Sequence, residues 1–551
     1  MYSHLELLVN GESPTDSLPQ ATLLPSRSCD NLSMRLGTSV PEGTRTRTTA
    51  ANLFRNSAAN VARLGFTAVI AILLPAYLTH RLPVEIYGAW VLILQLGAYV
   101  GYLDFGVQTA VSKYIAEYEA RGDLAGCSRC ASVGLAIMVG ASIAGVLLTL
   151  GLAWSVPLLF RKMPADLYSD VRVSIVFVGI SLSLNLIASI FSAIFLGLQR
   201  YEVPMITTVV AKLFYGIAIV SAVYLHTSLA VMGAAVAAAN LLSALVQVVA
   251  WKRLANQVRV ALSAVDRAML RQMLEYCVIL TIWSVCMLFI GGIDLTIVGH
   301  YDFKQVAFYS IAASPTTFIL MLVGAVLGPL LPASSALSTE RTPEQMGQIL
   351  LRTTRYGTVI LLASGLPILV AGYWILRLWV GVNYAAHSVQ FLRILLVANI
   401  VRQLCAPYAT MVVATARQRV ATASAVTEAA VNLIASIWLA KHYGAMGVAA
   451  GTLVGSFAGV AMHFAVSMHY TRNIAVSRLK LLVSGMVRPS IMAIPSLLLG
   501  KQWWFAGAPA ISPQMWLLWA TTTAVLAWLV SMSGEDRSLL LRMASRREKL
   551  S

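Results

Sequence analysis

Charge is what this chain has least of. Asp, Glu, Lys and Arg make up 11% of its 551 residues, against about 25% in an average soluble chain. Acids are scarcer than bases, 23 against 40. So few charges cannot coat a water-soluble body of this size. Cysteine is sparse too, at six residues. Cys29 lies in a polar N-terminal stretch, Cys277, Cys286 and Cys405 lie in apolar runs, and Cys127 with Cys130 forms a lone CxxC. A zinc site needs four ligands, and no second CxxC or His pair stands near. There is no GxxxxGKS or GxxxxGKT loop, no HExxH, and no GxSxG on a strand–turn–helix. Their absence argues against ATP hydrolysis and against those hydrolytic chemistries. The connections between the apolar runs are also too short to form a catalytic domain beside a membrane. No catalytic residue, cofactor or metal is expected, and transport is favoured over catalysis.

What the chain has in abundance is apolar surface. Hydrophobic residues reach 58% and mean hydropathy is +0.75. That composition implies an all-α polytopic membrane protein. Apolar runs predict helices near 57–78, 86–107, 131–158, 173–198, 204–225 and 229–251. A second set is expected near 276–299, 306–331, 356–380, 389–413, 419–440 and 445–468, and two more near 481–500 and 514–532. These are about fourteen spans, each near the roughly 20 residues a bilayer needs. The expected organisation follows. Residues 1–50, rich in Ser, Thr, Pro and Arg, form a disordered cytoplasmic tail. Residues 51–253 and 272–470 form two six-helix bundles joined by a cytoplasmic linker, 254–271. Residues 471–534 hold two further helices, and 535–551 form a basic cytoplasmic tail. No charged-then-apolar segment of the signal-peptide kind opens the sequence.

The net charge of +17 does not point to nucleic acid, because the cations recur between apolar runs instead of forming one patch. With both termini in the cytoplasm, 27 of the 40 Lys and Arg fall in cytoplasmic tails and connections. Eight, from Arg81 to Lys501, fall on the outer side, and Arg63, Lys212, Arg393, Arg402 and Arg488 fall inside spans. That bias supports this orientation and an even number of spans.

An offset of 222 residues lays the first set over the second. Gly106 meets Gly328, Ser112 meets Ser334, and Tyr87-Gly88 meets Tyr309-Ser310. Both sets hold six spans, so the repeats run parallel about an axis along the membrane normal. Such halves enclose a cavity that opens to one side at a time.

An ionised side chain at mid-bilayer costs about 2.5–3.5 kcal/mol on insertion scales, so it must face a cavity or find a partner. On the first helix Asn52, Asn56, Asn60 and Arg63 share one face. Lys212 lies near the middle of the fifth helix, and Asn399, Arg402 and Gln403 lie on the tenth. Asn56, Asn60, Arg63, Lys212, Asn399, Arg402 and Gln403 are the candidate substrate-binding residues. Shorter stripes occur at Asn185, Ser189 and Ser192, at Asn240, Ser243 and Gln247, and at Ser424, Glu428, Asn432 and Ser436. For single Asn and Ser residues, hydrogen bonding between helices is the better explanation. The buried acids Asp104, Asp294 and Glu428 are candidates for coupling or gating. Structural roles compete: Arg402 with Glu428 as a pair, and Asp104 as a helix cap or as a partner of Lys113. The excess of buried cations suits an anionic ligand, with phosphate a natural choice.

The segment from Leu103 to Asp123 reads LDFGVQTAVSKYIAEYEARGD. It leaves an apolar helix at Leu103-Asp104-Phe105-Gly106-Val107, continues through Tyr114-Ile115-Ala116-Glu117-Tyr118, and ends at Arg121-Gly122-Asp123. In these elements, and in Tyr87-Gly88 before them, it resembles the second-helix exit of Wzx-type oligosaccharide-lipid flippases of the MOP (MATE-like) superfamily. Over about residues 55–535 the span count and repeat agree, and the long polar N-terminal stretch departs from the family. The resemblance implies a multi-pass protein of the bacterial inner membrane that works by alternating access. Its substrate would be a polyprenyl-pyrophosphate-linked oligosaccharide destined for exopolysaccharide, capsule or O-antigen. Membrane lipids and a polysaccharide polymerase or export machinery are the implied partners, with no nucleic acid. A MATE-type cation-coupled multidrug antiporter and a peptidoglycan lipid-precursor flippase share the implied fold and stay open, as does a scaffold of an assembly complex.

Overall fold

A bilayer offers no water to backbone N–H and C=O groups, so spanning segments must bond internally. Among the described residues of the computed structural model every extended element is a helix and no strand occurs. These residues are 50–531 apart from 263–264, 339, 416, 472 and 504–512, together with 534, 537 and 538. Side chains of the first helix are described from Gly65 onward. The expected disordered and basic tails lie outside the described residues. The chain divides into a unit of residues 59–533 and a smaller one of 1–58 with 534–551; the packing below concerns the former.

The helices are α1 (Ala50–Arg81), α2 (Val84–Ala98, continued by a tight turn of helix over Tyr99–Asp104), α3 (Val107–Ala120), α4 (Leu124–Leu159), α5 (Leu167–Gly197), α6 (Glu202–Tyr224) and α7 (Leu229–Leu254). Then follow α8 (Arg267–Met287), α9 (Asp294–Tyr301), α10 (Val306–Leu327), α11 (Leu330–Leu337), α12 (Pro343–Val380), α13 (Val382–Gln403), α14 (Ala406–Ala414) and α15 (Gln418–Met462). After short helical pieces from Arg478 to Ala493 come α16 (Ile494–Trp503) and α17 (Pro513–Leu526). Among the described residues, twelve segments are long and apolar enough to cross a membrane. One of them, Arg419–Tyr470, is two crossings joined at Gly444, whose φ of 56° turns the chain back. With α1 added, the fourteen expected crossings are present.

Helix starts differ from the hydropathy reading where a polar cap precedes the apolar run. The third crossing, expected from residue 131, begins at Leu124, where Asp123 Oδ1 accepts from Gly126 N at 2.7 Å. The ninth, expected from residue 356, begins at Pro343 behind a Thr342–Gln345 capping box. Such caps satisfy donors that a helix start leaves free. The seventh crossing is not one straight helix. Between α8 and α9 the segment Leu288–Gly292 is a π-helix, with Gly291 and Gly292 at its end. π-Segments bend helices.

The offset that superimposes Gly106 on Gly328 does not carry over to backbone geometry. Phe105 and Gly106 are both left-handed, at φ 50° and 75°, so the chain breaks sharply between α2 and α3. Gly328 is helical at φ −52°. A Cβ on Gly106 would also lie 2.6 Å from Leu280, so both the torsion and the space call for glycine.

The buried residues show how the halves meet. One core draws on both: Leu78, Trp90, Phe160 and Ile219 pack in the same cluster as Phe303, Ile311, Leu376 and Leu392. These residues lie toward the end where α1 finishes at Arg81. Toward the other end, marked by Arg121, two separate cores form, the first of which also takes in the start of α8. Val111, Ile115 and Phe195 belong to one; Leu350, Tyr408 and Met411 belong to another. The cleft between the halves therefore opens toward the Arg121 end. The linker after α7 rides on the first half: Arg259 N and Ala261 N donate to Ser128 Oγ and Ser132 Oγ, and Ala255 and Val258 are buried. Met269, Met273 and Cys277 of α8 pack in the same core. The outer face is strongly apolar, with Trp154, Leu378 and Leu498 all largely exposed. A soluble monomer rarely shows such a surface; lipid covers it in a membrane protein.

Candidate functional site

The second half carries a half-open cavity of about 530 Å³ between α8, α10, α11, α13, α14 and the two arms of α15. Its wall is mostly aliphatic, with Trp283, Met287, Leu320, Val323 and Leu327, and it carries a polar strip of Arg402, Gln403, Ser424, Glu428 and His463. Mostly apolar pockets with a few converging polar groups are typical of ligand sites.

The strip depends on how the two arms of α15 approach. Glycines at 447, 451, 455 and 459 recur every four residues on the second arm. A Cβ on Gly451 would fall 2.4 Å from Ser436 N, one on Gly455 2.9 Å from Asn432 Cα, and one on Gly459 3.0 Å from Glu428 Cβ. Bare glycine backbone thus faces a polar row at Glu428, Asn432 and Ser436. Small residues allow this close approach of membrane helices. His463 is the next position along the ladder, and its Nε2 bonds Ser424 Oγ at 2.7 Å. The stripe Ser424–Glu428–Asn432–Ser436 is therefore one continuous buried face.

Arg402 pairs with Glu428: Nε donates to Oε1 at 2.5 Å, with 18% and 9% of the two side chains exposed. Arg402 Nη1 donates to Asn399 Oδ1 at 3.1 Å, and Asn399 Nδ2 donates to Leu395 O at 2.8 Å. Asn399 thus holds the guanidinium in place and is not part of the cavity wall. Arg402 Nη2 has no hydrogen-bond partner among the described residues, nor has His463 Nδ1.

A second polar node lies at the π-segment. Asn432 Nδ2 donates to Phe289 O and Ile290 O at 2.9 and 2.8 Å, taking up carbonyls there. Asp294 is 5% exposed and starts α9. Its Oδ2 accepts from Tyr309 OH at 3.2 Å and from Thr452 Oγ1 at 3.0 Å, while Oδ1 has no partner. Thr452 Oγ1 also reaches Val448 O at 3.1 Å. Ser436 Oγ reaches both Asn432 Oδ1 and Val448 O, at 3.2 and 3.3 Å. A hydroxyl has one proton to give. Two hydroxyls therefore face four acceptor contacts, and the node is rich in oxygen and short of donors. That balance suits a proton or a small hard cation.

The other expected residues are placed as follows. Asn56, Asn60 and Arg63 lie on α1 where side chains are outside the described residues. Lys212 on α6 is half-buried with Nζ 5.5 Å from the Tyr215 ring centroid, outside the second-half cavity. One turn further, Gly216 faces Ile70 of α1, so Lys212 lies on the side of α6 nearest that helix. Asp104 Oδ1 accepts from Gln108 N at 3.4 Å, a capping contact for α3. It does not pair with Lys113, whose ammonium lies 3.8 Å from Glu117 and 4.6 Å from the Tyr276 ring. The stripes on α5 and α7 join those helices to each other: Asn240 Nδ2 donates to Ser181 Oγ, and Gln247 bonds Ser192, Asn185 and Ser243. Cys127 and Cys130 are buried, with their thiols toward Ile115 O and Val111 O. The glycine ladder, His463 and the Asp294 partners were not singled out from sequence; a four-residue glycine period was the visible signal.

Halves are tied together at the Arg81 end by side chains on backbone carbonyls. Lys162 Nζ donates to Tyr301 O and His300 Nδ1 to Leu159 O, both at 2.5 Å. Trp379 Nε1 donates to Ile72 O at 2.7 Å. Further along α2, away from that end, Gln95 bonds Gly292 O and Tyr99 bonds the Thr296 hydroxyl.

Known proteins place this architecture. The chain is similar in fold to an inward-facing multidrug resistance MATE family transporter of the MOP superfamily, at 16% identity and TM-score 0.61, covering 74% of this chain and 97% of that one. It is also similar to the lipid II flippase MurJ in an inward closed conformation, at 12% identity and TM-score 0.63, covering 86% and 97%. A MOP superfamily transporter from Pyrococcus furiosus aligns at 15% identity and TM-score 0.51, covering 75% and 96%. No curated protein matches the sequence. Residues 53–338, running from α1 through α11, match the polysaccharide biosynthesis protein family. With that match over more than half its length, the chain belongs to the polysaccharide biosynthesis protein family.

Proposed function

We propose that this protein moves polyprenyl-pyrophosphate-linked oligosaccharide units from the inner to the outer leaflet of the cytoplasmic membrane by alternating access. The observation that carries the reading is Arg402, a half-buried guanidinium on the wall of a largely apolar cavity, whose Nη2 is left without a partner. An anionic head fits that donor, and guanidinium is the side chain best suited to phosphate. Gln403 and Ser424 offer hydrogen bonds to hydroxyls. Arg63 and Lys212, from the other half, would add positive charge across the cleft. The bias of Lys and Arg supports both termini in the cytoplasm, an orientation in which the cleft faces the cytoplasm in this state. Asp294, with its free oxygen among hydroxyl and carbonyl oxygens, is the group that takes the coupling proton or cation. Glu428 is the counter-ion of the substrate-binding arginine.

Depletion of the protein, followed by analysis of lipid-linked sugars, tests the reading. Accumulation of inner-leaflet oligosaccharide-lipid with loss of surface polysaccharide is expected. Unchanged polysaccharide with altered drug or dye sensitivity would instead favour a multidrug antiporter. Accumulated peptidoglycan precursor would favour the lipid II reading, which the likeness to MurJ over 86% of the chain keeps in view.

A further inference from the structure

The ion pair in the cavity uses only part of what its arginine offers. Nε and Nη2 of a guanidinium form the side-on fork that a carboxylate or phosphate grips with two oxygens. Glu428 takes the Nε prong with Oε1 and leaves Nη2 without a partner. Its Oε2 is turned instead toward Gly459, 2.8 Å from where a Cβ would stand. Asn399 fixes the far side of the guanidinium, so the fork stays aimed while its occupant changes. Arg402 and Glu428 each line the cavity, but Nη2 is closed off from solvent in this state, so an incoming ligand reaches it only as Glu428 moves aside.

We propose that Glu428 is a displaceable internal anion that keeps the Arg402 fork for a phosphate-bearing ligand, and that it takes up a proton when the ligand arrives. This deepens the proposed function and rests on its phosphate-bearing substrate. Two phosphate oxygens replace the single carboxylate oxygen on Nε and Nη2. A carboxylate left in this buried place without its cation would be strongly disfavoured. It therefore accepts one proton from the water of the cleft, and becomes a neutral carboxylic acid. The charge of the occupied site then changes by the ligand's charge plus one. Other titratable groups near the pair are few. Cys405 and His463 line the cavity, and Asp294 with Tyr309 lies beyond it. From α8 and α10 the cavity wall receives Trp283, Met287, glycine and aliphatic residues, none of which titrates.

The test uses the purified full-length protein in detergent, with farnesyl diphosphate as probe and calorimetric binding at about pH 6 and about pH 8. Uptake of one proton predicts wild-type affinity weakening by up to about tenfold per pH unit as pH rises. Glu428→Gln removes the competitor and the proton: affinity at the higher pH is expected to rise by about tenfold or more, and the slope is expected to vanish. Arg402→Gln is expected to abolish binding. Inorganic diphosphate in place of the lipid reports whether the head alone suffices, and binding by either source upholds the exchange if it shows the same slope. Farnesol binding as tightly as the diphosphate would overturn it. Wild-type affinity without pH dependence would overturn it without recourse to any variant, as would a Glu428→Gln protein that binds no tighter. A wild-type protein that binds neither phosphate probe removes the phosphate-bearing substrate, and the exchange with it. Binding by wild type with an unimproved Glu428→Gln removes the exchange alone.

Discussion

Gly459 presents bare backbone to Glu428: a Cβ there would lie 2.8 Å from Oε2 and 3.0 Å from the Glu428 Cβ. The carboxylate that neutralises Arg402 is thus held in position by a missing side chain on the facing arm of α15. The same relation repeats one turn away at Gly455 with Asn432 and two turns away at Gly451 with Ser436. This ladder brings the ion pair and the Asp294 node onto one buried line.

Filling the ladder should disturb that line. Gly459→Val is expected to cost about 1–3 kcal/mol through overpacking and to push Glu428 off Arg402. Thermal unfolding in detergent measures the first effect, and surface polysaccharide from complemented cells measures the second. A variant with wild-type stability and full export would show that the arms separate freely at this level.

The ion pair itself can be tested for stability apart from binding. Removing one partner of a buried pair leaves an uncompensated charge and costs about 3–5 kcal/mol. Arg402→Ala is therefore expected to unfold more readily than the double variant Arg402→Ala with Glu428→Ala. The order of the two melting midpoints checks this. Equal midpoints would mean that Glu428 reaches water or another cation when Arg402 is gone.

At the Arg81 end the halves come close enough to be linked covalently. A Cβ on Gly88 of α2 would lie 3.8 Å from Ala307 Cβ of α10, within the range of disulfide geometry. The pair Gly88→Cys with Ala307→Cys, in a background without other cysteines, is expected to cross-link under mild oxidation. Export should then stop, and a reductant should restore it. A cross-linked protein that still exports would show that this end never needs to open.

Asp294→Asn keeps the shape of the node and adds donors to a place that is short of them. The fold is expected to survive, with a melting midpoint near that of wild type. Export is expected to fall and its response to sodium or pH to disappear, while binding of a prenyl diphosphate persists. Loss of binding together with export would place Asp294 in the ligand site instead.

By itself the sequence determined the class, the fourteen crossings and the family, because hydropathy over about twenty residues is a local property of the chain. It also brought out Arg402 and Glu428, since charges inside apolar runs are rare enough to be noticed singly. It left Asp104 open between capping α3 and pairing with Lys113, because that choice depends on where the helix breaks, and Phe105 and Gly106 break it sharply. Only tertiary structure decided which polar stripes serve a cavity. Asn185, Ser192, Asn240 and Gln247 join α5 to α7, while Ser424 and Glu428 line open space. Both kinds look alike along a helix, and what separates them is the facing partner: another polar row in the first case, a row of glycines in the second. The bend at Leu288–Gly292 and the end at which the halves share a core likewise depend on contacts between residues far apart in the chain, which no local pattern encodes.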